Sequence, residues 1–248
     1  MPTTADLRAF VREATTSSSS TDGATSLTAD CNGQIHSETV KIVVLGAACA
    51  GKTSVIKQFV GNGQEFSDHY DPTERKSSHF KTVLTFDTNT QKITHWALKI
   101  VDVPVTDVPI AAVMSWSNFL QFDVANAAAY VIMFDVSAQF HSFDFVRTIR
   151  EQLVNHPSTS GGLIFIAGNK VDLPYQLNRS DIMHVVQKQW KCQYFECSSK
   201  KNFHIVGLFQ AIIEAVQAKQ SAAARAKAHH SEFHGFRRTF KSDKCCIQ

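Results

Sequence analysis

An α/β fold, a mostly parallel sheet flanked by helices, is what the sequence predicts, and three observations carry that prediction. Strand-like and helix-like stretches alternate along the middle of the chain. Two of the strand-like stretches, residues 130–135 and 163–167, are continuous apolar runs, the pattern of central strands covered on both faces. The third observation is a small-residue turn, Gly46 to Thr53, set between a short apolar run and a helical one. The composition agrees: 248 residues, 44% hydrophobic and 19% charged, describe a globular protein with a sizeable core. Fibrous and wholly disordered classes are thereby excluded.

The elements follow in order. Residues 40–45 form a buried-strand run, and a helical stretch extends to Val60 after the turn. Residues 80–86 and 96–101 alternate sides, and the Asp87-Thr88-Asn89-Thr90-Gln91 segment between them supplies turn residues, so they read as a hairpin. Residues 130–135, 163–167 and 194–196 complete a set of six strands, with helical patterns over 143–153, 181–190 and 203–219. Sites in such folds lie at the carboxyl ends of the strands.

Three segments divide the chain. Residues 1–38 hold thirteen Ser or Thr and a net charge of −3, without a sustained apolar period. Such a segment cannot bury enough surface to offset chain entropy and is expected to be disordered, with Leu7, Phe10 and Val11 able to line one face of a short docking helix. Residues 39–220 form the domain, at net +2, and residues 221–248 a basic tail at net +4. No apolar run exceeds the eight residues 127–134, which is too short to span a bilayer, and the amino terminus shows no signal peptide. The total charge of +3 argues against a nucleic-acid partner. Cysteines 31, 49, 192, 197, 245 and 246 show neither a disulfide framework nor zinc spacing, so Cys192 and Cys197 are expected to be core thiols.

The turn reads Gly46-Ala47-Ala48-Cys49-Ala50-Gly51-Lys52-Thr53, followed by Ser54, and matches G-x-x-x-x-G-K-[ST]. Small residues let backbone N–H groups wrap a phosphate, a helix beginning near Lys52 points its positive end at it, and Thr53 offers a hydroxyl to Mg²⁺. About 120 residues later, Asn169-Lys170-Val171-Asp172 follows a strand. The Asp172 carboxylate can accept N–H donors from guanine N1 and N2, a pattern adenine does not present; Asn169 can bond the base edge and Lys170 can lie along its face. Cys197-Ser198-Ser199-Lys200 follows the last short strand.

In this order of motifs the chain resembles the Ras-type small GTPases over about residues 40–220. The resemblance implies the P-loop small GTPase fold with a six-stranded sheet, GTP or GDP and Mg²⁺ as ligands, and a monomeric switch at the cytoplasmic face of the plasma membrane. It implies that Thr73, in Tyr70-Asp71-Pro72-Thr73, binds Mg²⁺ and the γ-phosphate when GTP is bound. Phe66 would pack against guanine, Asp102 would reach Mg²⁺ through water, and the Ser199 backbone would contact the guanine oxygen. Effectors would bind through residues 70–76 and the segment after Asp102, with exchange factors and activators as further partners. Glu74-Arg75-Lys76 departs from the usual acidic effector sequence, which puts the familiar Ras effectors in doubt.

Three departures concern hydrolysis. Ala48 and Cys49 stand where the family has glycines, and a side chain at the first of them obstructs an incoming arginine finger. Asp102-Val103-Pro104-Val105-Thr106 replaces Asp-x-x-Gly-Gln. Val105 keeps an N–H for the γ-phosphate but stiffens the segment, and Thr106 replaces the Gln that orients water. With Lys52 and Thr106 as the catalytic candidates, hydrolysis is expected to be slow. The alternative is a GTP-loaded interaction protein with negligible turnover. The final Cys245-Cys246-Ile247-Gln248 reads as a C-a-a-X box with farnesyl on Cys245, and Arg237, Arg238, Lys241 and Lys244 supply the polybasic second signal for a membrane anchor.

Overall fold

In the computed structural model the described residues are 28–29, 37–69, 71, 73, 75–87, 92–104, 123–138 and 141–239. The chain divides into two compact units, Met1–Val206 and Gly207–Gln248. The first holds seven strands: β1 (Thr28–Ala29), β2 (Ser37–Gly46), β3 (Ser77–Asp87), β4 (Lys92–Asp102), β5 (Ala129–Asp135), β6 (Leu163–Asn169) and β7 (Gln193–Glu196). Strands β4, β2, β5, β6 and β7 lie side by side and parallel, and β3 pairs antiparallel with β4 from Ser77↔Asp102 to Asp87↔Lys92. These six are the expected strands. The two-residue β1, which pairs Thr28 with Thr94, is an addition, and it falls inside the segment expected to be disordered. Strand β2 likewise starts two residues ahead of the expected domain boundary.

Every residue of β5 is buried, as its unbroken apolar run requires. Val43 and Leu45 of β2 meet Tyr130, Ile132 and Phe134 of β5 in one core cluster. Helix α2 (His141–Asn155) supplies Phe143, Val146, Ile149 and Leu153 to that cluster at helical spacing. Helix α1 (Lys52–Val60) packs against β2, β3 and β4 with Val55, Ile56 and Phe59 buried. In β4 the alternating pattern is supplemented by Trp96, whose indole N–H donates to Thr85 Oγ1 of β3 at 2.8 Å.

Two helical expectations change in extent. The stretch expected to be one helix over 181–190 is a short α3 (Arg179–Met183), capped by the Asn178 side chain accepting from the Ser180 N–H, that widens into a π-helical turn over His184–Gln189. The last helix, α4, spans Ile205–Thr239, past the expected end near residue 219 and well into the basic tail. Its continuation, Ala222-Ala223-Ala224-Arg225-Ala226-Lys227, consists of strong helix formers.

Just ahead of β5, Asp123 receives Lys41 Nζ of β2 at 3.0 Å and Lys99 Nζ of β4 at 2.8 Å. Burial alone would raise its carboxyl, but the bonds and charges of the two lysines outweigh it and hold the group below the usual carboxylate range. Its stabilising contribution is therefore complete above the ordinary value of 3.8 and is lost as acid titrates the folded carboxylate. An Asp123→Ala variant is expected to unfold in urea about 1 kcal/mol earlier at pH 7. The gap to the parent protein should close as the pH falls below 3.8; a gap that widens in acid would contradict this.

Candidate nucleotide-binding site

The motif residues meet because they end neighbouring strands. Gly46 closes β2, Asp102 closes β4, Asp135 closes β5, Asn169 closes β6 and Glu196 closes β7. In register, Val44 faces Asp102, Gly46 faces Met133, Asp135 faces Asn169 and Gly168 faces Glu196, so the site follows one edge of the sheet.

The phosphate loop is built on close backbone approach. A Cβ on Gly46 would lie 2.2 Å from the Met133 carbonyl oxygen, and one on Gly51 would lie 2.2 Å from Asn169 Nδ2. Gly51 caps α1 with a φ of 84°, a left-handed conformation natural to glycine. Cys49 adopts the same hand, with a φ of 58°, at a cost of about 1 kcal/mol for a residue with a side chain. Ala48 and Cys49 are both exposed on the open side of the loop, whereas Ala50 is buried. Lys52 is 7% exposed and donates from Nζ to the carbonyls of Gly46 and Ala47, each at 3.1 Å. Burial depresses its ammonium to about 8, against the raising effect of Asp102 and Cys49, so the loop holds a cation short of counter-charge.

Three oxygen donors converge beside it. Thr53 Oγ1 donates to Asp102 Oδ2 at 2.5 Å and lies 2.8 Å from Thr73 Oγ1. Asp102 is fully buried, and its second oxygen, Oδ1, has no hydrogen-bond partner. Burial pushes its carboxyl up, opposed first by the Thr53 bond and then by Lys52. A buried carboxylate with an orphaned oxygen and two hydroxyls at hand is the donor set of a hard divalent cation, so these residues fit Mg²⁺. Among the described residues no cluster of three His, Cys, Asp or Glu offers a rival metal site.

The base-side residues have a different bonding from that expected. Asn169 is fully buried, and it binds protein rather than facing out. Its Nδ2 donates to the Ala50 carbonyl at 2.9 Å and to Ser199 Oγ at 3.4 Å, and its Oδ1 accepts the Ser199 N–H at 3.1 Å. Asn169 therefore ties the phosphate loop to the 198–200 turn. The Ser199 N–H expected at the guanine oxygen is spent on that tie. Lys170 pairs through Nζ with Asp135 Oδ2 at 2.6 Å, and only its stem is left to line a base slot. Asp172 is exposed, and its Oδ1 accepts the hydroxyl of buried Ser198 at 2.5 Å. Cys197 lies beneath, its thiol pushed up to about 12 by burial; Cys192 is half-buried, and both are free thiols.

The segment carrying Phe66 reaches the same turn. Lys200 Nζ pairs with Asp68 at 2.7 Å, and a Cβ on Gly63 would strike Asn202. Phe66 itself is half-buried and Ser54 sits half-buried in the first turn of α1. Tyr70, Pro72, Glu74, Val105, Thr106 and Cys245 lie outside the described residues. Two contributors escaped the motif reading. Gln58 of α1, 3% exposed, donates to the Ser199 carbonyl at 2.7 Å. Glu196 receives the Arg179 guanidinium through Nε at 2.6 Å and Nη2 at 2.7 Å, which anchors the end of β7 to α3. Glu196 had a sequence signal, its place immediately before Cys197-Ser198; Gln58 had none.

Comparison with known proteins agrees with this geometry. A model of the Ras family matches residues 41–218. Human "Ras-like protein family member 10B" is 32% identical over 84% of this chain and 98% of its own length. Mouse "Ras-like protein family member 10A" is 24% identical over 74% of the chain and 89% of its own length. Human "GTP-binding protein Rheb" is 28% identical over 78% of the chain and 96% of its own length. With the phosphate loop, the oxygen triad and the base-side turn arranged along one sheet edge, and the family match covering all three, the chain belongs to the Ras family of small GTPases.

Proposed function

We propose that this protein is a lipid-anchored GTP switch whose hydrolysis is slow. The observation that carries the switch is the convergence of Thr53, Thr73 and Asp102. Thr73 comes from a loop outside the phosphate motif, so a ligand that holds it also sets the conformation of the segment around it. Thr53, Thr73 and Asp102 would hold Mg²⁺, which would neutralise phosphate charge. The chain's own residues do the rest: Lys52 and the loop N–H groups bind phosphate, Asp172 reads the base, and Thr73 reports the γ-phosphate to effectors through residues 70–76 and the segment after Asp102. Exchange factors would act on the same surfaces, and no nucleic acid is involved.

Slow hydrolysis is supported by Ala48, exposed where an arginine finger would enter, and by Thr106, whose short hydroxyl replaces an amide that positions water. Ras itself turns over at about 10⁻⁴ s⁻¹ without an activator and roughly 10⁵-fold faster with one. Single-turnover release of labelled γ-phosphate from GTP-loaded protein should run below that unassisted rate, and an Ala48→Gly/Thr106→Gln double variant should run faster than the parent. Brisk release by the parent protein would overturn the reading. The same residues favour a second reading, a GTP-loaded interaction protein, and no measurable release in either protein would select it.

Anchoring rests on Cys245 with the basic residues before it, because one lipid chain alone holds weakly. The reading places the protein at the cytoplasmic face of the plasma membrane as a monomer. Farnesyl transfer to the parent chain but not to Cys245→Ser, with matching co-sedimentation on anionic vesicles, is the expected result; equal labelling of both would contradict it.

A further inference from the structure

Asp135 ends β5 directly opposite Asn169, so the topology sets its carboxylate beside the base-side turn. It is 8% exposed, and both oxygens are engaged. Oδ1 accepts the Ser137 N–H at 2.8 Å and the Ser137 hydroxyl at 2.6 Å, which fixes the plane of the carboxylate. Oδ2 holds Lys170 Nζ at 2.6 Å, with the Asp135 side chain 12% and the Lys170 side chain 31% exposed. Lys170 itself has a φ of 67°, an uncommon conformation for a residue with a side chain that must be held by its surroundings.

A free lysine stem is rich in rotamers and would lose that freedom on packing against a planar base. A stem already tethered at its far end has little left to lose, and pre-organisation of this kind raises affinity without adding a contact to the ligand. We propose that Asp135 is a positioning residue for nucleotide binding: clamped by Ser137, it holds the Lys170 ammonium so that the lysine stem forms a preformed wall of the guanine slot. The proposal rests on the guanine-binding reading of the Asn169–Asp172 turn. Stacking on a stem does not distinguish one purine edge from another. Asp135 therefore sets how tightly the base is held, whereas Asp172 sets which base is held.

That division separates positioning from general structural damage. In Asp135→Asn the amide oxygen can still accept from Ser137, while the amide N–H₂ now faces the ammonium and the tether is lost. Dissociation of fluorescent GDP from full-length Asp135→Asn is expected to be about tenfold faster than from the parent, and loss of the ion pair should lower the melting temperature of the nucleotide-free protein by the same amount in Asp135→Asn and Lys170→Met. The preference for GDP over inosine diphosphate, which lacks the N2 amino group, should stay as in the parent. Lys170→Met should speed release to the same degree, and the double variant should add nothing further. Unchanged release in Asp135→Asn, additive effects in the double variant, or a changed guanine-to-inosine ratio would each overturn the proposal. If the parent protein does not prefer GDP to ADP, the underlying reading fails and the proposal falls with it; a parent that prefers GDP with an inert Asp135 overturns the proposal alone.

Discussion

An Asp172→Ala variant is expected to lose its discrimination between guanine and adenine nucleotides. The Asp172 side chain is exposed at the mouth of the base-side turn and is oriented there by the hydroxyl of buried Ser198. A carboxylate so placed can accept from both N1–H and N2–H of guanine, two charge-assisted bonds that adenine cannot make. Sites that hydrogen-bond a ligand reject analogues lacking the donor far more strongly than apolar pockets reject a missing methyl group. Removing the carboxylate should cost guanine nucleotides about 10²- to 10³-fold in affinity and leave adenine nucleotides nearly unaffected. Competition binding against a fluorescent nucleotide measures both. A parallel loss for GDP and ADP would mean that Asp172 supports the fold rather than reads the base.

Gly51→Ala should be as damaging by a different route. The added Cβ would lie 2.2 Å from Asn169 Nδ2, and the residue would be held at a φ of 84°. Asn169 has nowhere to go, because it is fully buried and bonded to Ala50 and Ser199 on the two loops that the site needs together. Left-handed strain of about 1 kcal/mol adds to the loss of buried hydrogen bonds at about 1–3 kcal/mol. The expected result is a protein less stable to urea by about 2–4 kcal/mol with nucleotide binding abolished. Gly161→Ala is the control, since a Cβ there meets nothing within 4 Å. Comparable losses in both variants would refute the crowding argument.

Much of the fold was legible because the strands advertise their environment. Residues 130–134 form an unbroken apolar run and are buried throughout; residues 80–86 and 96–101 alternate and pair antiparallel. What escaped depends on distant partners. The pairing of Thr28 and Ala29 requires the start of β4, which lies ahead of its pairing with β2 and which nothing local to a Ser/Thr-rich stretch encodes. The length of α4 is hidden for another reason: the tail's charge suggests a solvated anchor, while its alanines, lysines and arginines are also helix formers.

The site divides along the same line. Gly46 to Thr53, Asp102, Asn169 and Ser198–Ser199 are recognisable by type and spacing, and the structure gathers them along one sheet edge. How Asn169 and Lys170 are bonded was not legible, because their partners Ala50 and Asp135 lie 119 and 35 residues away along the chain. Asp135 carries only the local trace of an Asp-x-Ser turn. Its importance comes from β5 and β6 being neighbours, a property of topology rather than of any segment.

Binding of guanine nucleotide with Mg²⁺ along this sheet edge is the expectation on which the other results depend. Titration of nucleotide-stripped, full-length protein with GDP, GTP, ADP and ATP, with Mg²⁺ and with a chelator, tests it most directly. Binding of GDP and GTP at least about 100-fold tighter than that of ADP and ATP is expected, with the guanine nucleotides weakened when Mg²⁺ is removed. Equal affinity for the two bases, or guanine binding indifferent to Mg²⁺, would contradict it.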